Sequence, residues 1–175
     1  MQLIKGEYNI EELIKFVHSI YLATNGAYPL LEWVDEKPSP NDFKTFEKIY
    51  APFLKERLEK EFDEIYIWRS KEIIGTGALV YKFEGKDIPW IPSLPSKAGF
   101  IEFLMVSPQH QGKGYGKKFL FFLIHRLHQL AKDAYVVTSP FIDAYFFYKK
   151  NGFKDVLRYE KFVLMKYEGL HTQNF

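Results

Sequence analysis

Three glycines in five positions, Gly112, Gly114 and Gly116, stand between an apolar stretch, FIEFLMVS, and a run of helical periodicity. A strand that hands over to a helix through bare backbone has a specific use. The first N–H groups of a helix lack intrahelical partners and its dipole adds positive potential, so such a junction attracts anions. Glycine lets phosphate oxygens reach the main chain, and Lys113, Lys117 and Lys118 add charge. A plain strand-to-helix turn with solvated lysines would account for one glycine; three favour a phosphate. The spacing excludes the familiar nucleotide loops. An NTPase loop needs Ser or Thr after its Gly-Lys, where Lys118 stands, and Gln111 occupies the place of its first glycine. The dinucleotide pattern G-x-G-x-x-G would put its third glycine at Lys117 or Phe119.

With 175 residues, 47% of them hydrophobic, the chain has material for one core and reads as a single domain over 1–175. A formal net charge of +2 is too small for the electrostatic footprint of nucleic-acid binding. The absence of cysteine removes disulfides, thiolate metal sites and a cysteine nucleophile. The start, MQLIKGEYNIEELIKF, carries charges where a leader needs an apolar core, and no run is apolar enough to span a bilayer, so a cytoplasmic protein with no membrane partner is expected. The aromatic content of 18% reads as core packing in preference to the lining of an apolar ligand groove.

Along the chain, Gln2 to Tyr8 reads as a strand, and Asn9 caps a helix over Ile10 to Ala23, with Glu12 at the capping-box position. Ala27 to Asn41, with three prolines and an acidic cluster, reads as an exposed connection. A second helical region spans Asp42 to Glu61, kinked or split at Pro52. Glu64 to Lys71 and Glu72 to Phe83 form a hairpin, and a proline-rich connection, Asp87 to Gly99, leads to a central strand, Phe100 to Ser107. The helix after the glycines buries Phe119, Leu120, Leu123, Ile124, Leu127 and Leu130. Ala134 to Ser139 is a further strand, Ile142 to Lys150 a short helix stopped by Asn151-Gly152, and Lys154 to Tyr167 a strand or hairpin whose edge would allow a homodimer.

The pattern Q-x-x-G-x-G, Gln111-Gly112-Lys113-Gly114-Tyr115-Gly116 in the form Q-G-K-G-Y-G directly after MVSP, resembles the pyrophosphate motif of the GNAT superfamily of acyl-CoA-dependent N-acyltransferases. The likeness continues at AYFFYKKNGF, Ala144 to Phe153, which is similar to that family's second signature of a tyrosine-bearing short helix followed by a glycine-aromatic pair. One position departs: Phe141 stands where many members place an asparagine that reaches the cofactor. The resemblance implies an α/β (α+β) fold, a mixed, mostly antiparallel central sheet flanked by helices and splayed after the fourth strand, beyond Val106. It implies acetyl-CoA as cosubstrate, held by Gln111, Gly112, Lys113, Gly114, Tyr115, Gly116 and Lys117, with backbone groups of Leu104, Met105 and Val106 along the pantetheine arm.

The implied reaction moves an acetyl group from sulfur to an amine of a small molecule or protein by direct attack. At pH 7 an alkyl amine of pKa about 10.4 costs about 4.6 kcal/mol to deprotonate, and an α-amine of pKa about 8 costs about 1.4 kcal/mol. A base is therefore expected. Glu102, an isolated carboxylate in an apolar strand, is the candidate, against the alternative of a solvated or lysine-paired side chain. Tyr148, at the family's tyrosine position, is the candidate acid for the leaving thiolate, against a merely packed ring. Glu32, Trp33 and Asp35 are candidates for attracting and stacking on a cationic acceptor, against the slightly favoured alternative of a solvated acidic loop, and Trp90 either forms a second wall of that groove or pins its loop to the core. His110, near the glycine turn, reads as a solvated loop histidine rather than one that touches the cofactor, and His125 and His128 lack a third ligand, so no metal is expected. An acyl-CoA sensor or interaction module is the competing reading: it keeps the cofactor site without the chemistry. A purely structural domain is the third.

Overall fold

The computed structural model describes residues 2–5, 7–28, 34–88 and 94–169, with only the main chain at 2–5. The elements run β1 Gln2–Lys5, α1 Ile10–Ala23, α2 Phe43–Glu56, a π-helical turn Arg57–Glu61, β2 Glu64–Arg69, β3 Ile73–Val80, β4 Ala98–Val106, a 3-10 turn Pro108–His110, α3 Tyr115–Gln129, β5 Asp133–Thr138, α4 Asp143–Lys150, β6 Phe153–Tyr159 and β7 Phe162–Tyr167. Hydrogen bonding orders the seven strands β1-β2-β3-β4-β5-β7-β6. The β4–β5 pair is parallel, while β1–β2, β5–β7 and β6–β7 are antiparallel: a mixed, mostly antiparallel sheet, as expected. Compactness divides the chain into two units, Met1–Thr76 with Met105–Gly116, and Gly77–Leu104 with Lys117–Phe175. The strands β3 and β4 and the helix α3 run from one unit into the other. No helix among the described residues is long and apolar enough to cross a membrane.

In the first unit, α1 has the predicted bounds because its signals are local. Asn9 Oδ1 accepts the N–H of Glu12 at 3.1 Å, and Leu13, Phe16, Val17 and Ile20 are buried on one face. Against that face α2 stacks its rings, with Tyr21–Phe46 centroids 4.9 Å apart and Phe46–Tyr50 5.2 Å apart. Full burial of a side chain such as Phe46 or Leu54 contributes about 1.5–3 kcal/mol. Pro52 does not split α2, which continues through it to Glu56. The widening comes one turn later, where Phe62 N–H reaches Arg57 O at 2.9 Å and closes the π turn. The strand β1 is shorter than predicted and ends at Lys5.

The capping box is only half formed. The Glu12 carboxylate turns to Arg69 on β2, which donates to it twice, Nη1 to Oε1 at 2.6 Å and Nη2 to Oε2 at 2.7 Å. A bidentate guanidinium is a stronger donor than a cap N–H, so it takes the carboxylate. These hydrogen bonds from Arg69 hold the Glu12 carboxyl below the usual carboxylate range, against the opposing effect of partial burial. A depressed carboxyl stabilises the fold above its unfolded pKa, and the contribution is lost as pH falls through the folded value. Glu12→Gln is therefore expected to lower stability by about 1 kcal/mol or less at pH 7, because the pair is partly exposed and screened. The gap from wild type in urea midpoints should close below about pH 4; a gap that persists there would assign the effect to packing.

In the second unit, β4 lies between β3 and β5 in the strand order, and Phe100 packs edge-on to Phe83 with centroids 5.8 Å apart. The helix α3 buries Phe119, Leu120, Leu123, Ile124 and Leu127 as expected, while Leu130 is half-buried in the turn beyond its end. The tail is a hairpin, β6–β7, in which β6 is the sheet's last strand and exposes Val156, Leu157 and Tyr159. A register shift between Asp155 and Leu157 and the exposed charges of Lys154 and Arg158 are features that blunt edge-to-edge pairing.

Candidate functional site

The glycine turn is tied to the end of β4 before it opens. Ser107 N–H donates to Ile74 O of β3 at 2.8 Å, and His110 N–H donates to Ser107 O at 2.9 Å, which closes the 3-10 turn. Gln111 Nε2 donates to Val106 O at 3.1 Å, so one of the carbonyls expected for an incoming ligand is engaged by the turn itself. The chain then takes left-handed backbone at Gly112 (φ 73) and Gly114 (φ 82) and enters α3 at Tyr115. Any L-residue would be strained there by roughly 1–2 kcal/mol. Where a Cβ on either glycine would stand, no atom lies within 4 Å, so the glycines answer to backbone conformation and to open space beyond it, not to internal packing. Lys113, Lys117 and Lys118 are exposed around the start of α3. Bare turn, helix start and three cations together fit a diphosphate.

The chain brings Glu102, Leu104, Met105 and Val106 together on β4, but not as an ordinary central strand. The register with β5 covers Ala98 with Asp133, Gly99 with Ala134 and Phe100 with Tyr135, and it stops there although β4 runs on to Val106 and β5 to Thr138. The strands thus part after Phe100, earlier than the expected point beyond Val106. Phe103 sits at φ 54, a conformation foreign to a ladder and costly for an aromatic residue. Burial alternates from Ile101 onward: Phe103 and Met105 are buried, whereas Glu102, Leu104 and Val106 form a half-buried row.

Tyr148 lies on α4 and is 9% exposed, its ring against Phe147 at 5.5 Å and Phe153 at 5.4 Å. A polar cluster one turn away ties α4 to β6. Tyr145 Oη donates to Asp155 Oδ2 at 2.9 Å and receives Lys149 Nζ and Arg158 Nη2, each at 3.2 Å. Burial pushes the Asp155 carboxyl up, but hydrogen bonds from Arg158 and Tyr145 outweigh it and hold the group below the carboxylate range. Phe141, the residue that departs from the resembled signature, is 83% exposed.

Of the acceptor candidates, Asp35 is exposed, and Glu32, Trp33 and Trp90 lie outside the described residues. Sequence reasoning missed two features. His110 is half-buried and bonded, not a solvated loop histidine, and its partner Ser107, three residues earlier around Pro108, was a readable signal. The Tyr145–Asp155 contact spans two elements and had no local signal. A cavity of about 480 Å³ in the first unit, between Phe16 and Leu22 of α1 and the stretch Ser107 to Gln109, stops short of Gln111.

Comparison with known proteins gives a consistent result. The model of the acetyltransferase (GNAT) family matches residues 27–153. A structure from Pyrococcus horikoshii assigned as an acetyltransferase shares 45% identity over 95% of this chain and 98% of its own, with a TM-score of 0.73. The PaiA N-acetyltransferase of Thermoplasma acidophilum, solved in complex with coenzyme A, shares the fold at 16% identity over 95% and 99% of the two chains, with a TM-score of 0.63. A GNAT family acetyltransferase of Elizabethkingia anophelis with acetyl-CoA bound does so at 18% identity over 67% and 82%, with a TM-score of 0.51. No curated protein matches the sequence.

Proposed function

Because the chain belongs to the GNAT acetyltransferase family, we propose that it is an N-acetyltransferase that moves the acetyl group of acetyl-CoA to a primary amine of a small molecule or protein by direct attack. The observation that carries this reading is the turn at Gly112 and Gly114, whose left-handed backbone faces open space at the start of α3 among exposed lysines. Coenzyme A and acetyl-CoA in the Thermoplasma and Elizabethkingia structures favour the same ligand class.

In this reading the main chain of Gln111 to Gly116 holds the diphosphate, with Lys113 and Lys117 neutralising it, and backbone groups of Leu104 to Val106 take the pantetheine arm, with Val106 O held by Gln111 in the unliganded turn. The parting of β4 from β5 after Phe100 supports this assignment, since it leaves strand backbone in need of partners. When bound, the thioester supplies the activated acetyl carbon. Glu102 accepts a proton from the acceptor ammonium, directly or through water, and the amine lone pair then attacks that carbon. A C–N bond forms, a backbone N–H near Met105 or Val106 steadies the oxyanion, and the C–S bond breaks as the Tyr148 hydroxyl protonates the sulfur; the second proton of the attacking nitrogen returns through water to the Tyr148 oxygen, and Glu102 releases its proton to solvent. The products are an N-acetyl amine and a free thiol. The acidic segment around Asp35, with Glu32 and Trp33, draws in the cationic acceptor.

The test is thiol release from acetyl-CoA across a panel of polyamines, small amines and peptides with different first residues. Release is expected only when a suitable amine is present. Binding of coenzyme A without turnover on any amine would make the chain an acyl-CoA sensor, and unchanged thermal stability at saturating acetyl-CoA would remove the ligand from the reading.

A further inference from the structure

We propose that His110 is a positioning residue that holds the glycine turn in its binding shape before the ligand arrives; this rests on the turn being a diphosphate site. One imidazole meets both ends of the turn. Its Nδ1 is hydrogen-bonded to Ser107 Oγ at 2.6 Å, before the glycines, and its ring stands edge-on to Tyr115, just after Gly112 and Gly114, with centroids 5.7 Å apart and planes at 75°. The anchor on the near side is firm. Ser107 is 9% exposed, its N–H is bound to Ile74 O, and its carbonyl takes the N–H of His110 itself. On the far side Tyr115 is the first residue of α3. Between them run Gln111 to Gly114, with two glycines, the residue type that loses most conformational freedom on ordering. Restricting that segment in advance lowers the entropic cost of binding, which is preorganisation in its simplest form. His110 would therefore act on affinity through the turn, without touching the ligand.

Coenzyme A binding by calorimetry, acetyl-CoA kinetics with the best amine, and amide hydrogen exchange of the unliganded protein test this in wild type, His110→Ala, His110→Asn and Ser107→Ala. The alanine variant is expected to bind coenzyme A about tenfold more weakly, with kcat at saturating acetyl-CoA within about twofold of wild type. Its exchange should be faster over Gly112 to Gly116 in the free protein. His110→Asn, whose amide can reach Ser107 Oγ, should recover part of the loss. Ser107→Ala combined with His110→Ala should add little to the single change, since both remove one bond. Exchange at Gly112 to Gly116 that is unchanged in His110→Ala overturns the proposal whether or not the protein binds coenzyme A. Failure of wild type to bind, with exchange altered as expected, instead removes the diphosphate reading and leaves His110 as the clamp of the turn. An affinity that rises as histidine protonates and is lost equally in the alanine and asparagine variants would assign His110 to direct phosphate contact and overturn positioning.

Discussion

Tyr148→Phe is expected to lower turnover by about a hundredfold while the affinity for coenzyme A stays within about twofold. The substitution is conservative where it needs to be. The ring of Tyr148 packs between Phe147 and Phe153, and phenylalanine keeps that packing, so α4 should hold its place. Only the hydroxyl is lost, at a stability cost of about 1 kcal/mol if it is hydrogen-bonded in the free protein. A positioned acid typically accelerates a step by about 10²–10⁴, and a hundredfold loss corresponds to about 2.7 kcal/mol of transition-state stabilisation. An alkyl thiol is far more acidic than an alcohol, which makes its departure easier than that of an alkoxide and places the effect at the lower end of that range. The kcat of the variant, measured under saturating acetyl-CoA, separates the alternatives. A kcat equal to wild type would make Tyr148 a packing residue, and a kcat that falls only in step with coenzyme A affinity would make it a binding residue.

The elements that were legible in the sequence are those whose causes are local. The helix α1 begins and ends where its cap and its apolar spacing put it, and α3 begins at Tyr115, within the glycine run, so that Gly116 is already helical. The left-handed stop after α4 was readable from Asn151-Gly152, and it falls at the glycine, φ 94. What was not legible depends on residues far apart in the chain. Glu12 leaves its capping box for Arg69, 57 residues away, and no window around Glu12 contains that partner. The change from α to π geometry at Arg57 has no distinctive residue beneath it, because a charged surface turn such as RLEKE suits either spacing. Phe103 is the clearest case. An aromatic residue in an apolar strand predicts extended backbone, yet it is held at positive φ beside the point where β4 and β5 part, so tertiary structure overrides its propensity. His110 is intermediate: the pair Ser107 and His110 around a proline-initiated turn was there to be read, and single-residue priors for a loop histidine concealed it.

Gly152→Ala should destabilise the protein by about 3 kcal/mol, and so lower the melting temperature by about 6–12 °C in a chain of this size. Two independent penalties combine at this position. Its φ of 94 is unfavourable for any side chain, and a Cβ would stand 2.7 Å from Gly169 O and 2.8 Å from Gly169 C. Those are backbone atoms, which cannot swing aside as a side-chain tip would. The segment is also tied in place, because Glu168 N–H donates to Gly152 O at 2.9 Å, so moving Gly169 away would strain the hydrogen bond beside it. Gly114→Ala is the informative contrast. At φ 82 it carries the conformational penalty alone, with nothing within 4 Å of the new methyl, so its stability cost should be only about 1–2 kcal/mol. The order reverses for ligand affinity. The methyl at residue 114 would project into the space assigned to the diphosphate, whereas that at residue 152 would stress the join between α4 and β6 and leave the turn untouched. Urea titration and coenzyme A calorimetry on the two variants should rank them in opposite orders. The same ranking in both measurements would mean that the turn is a structural element first, and that its glycines serve the fold more than a ligand.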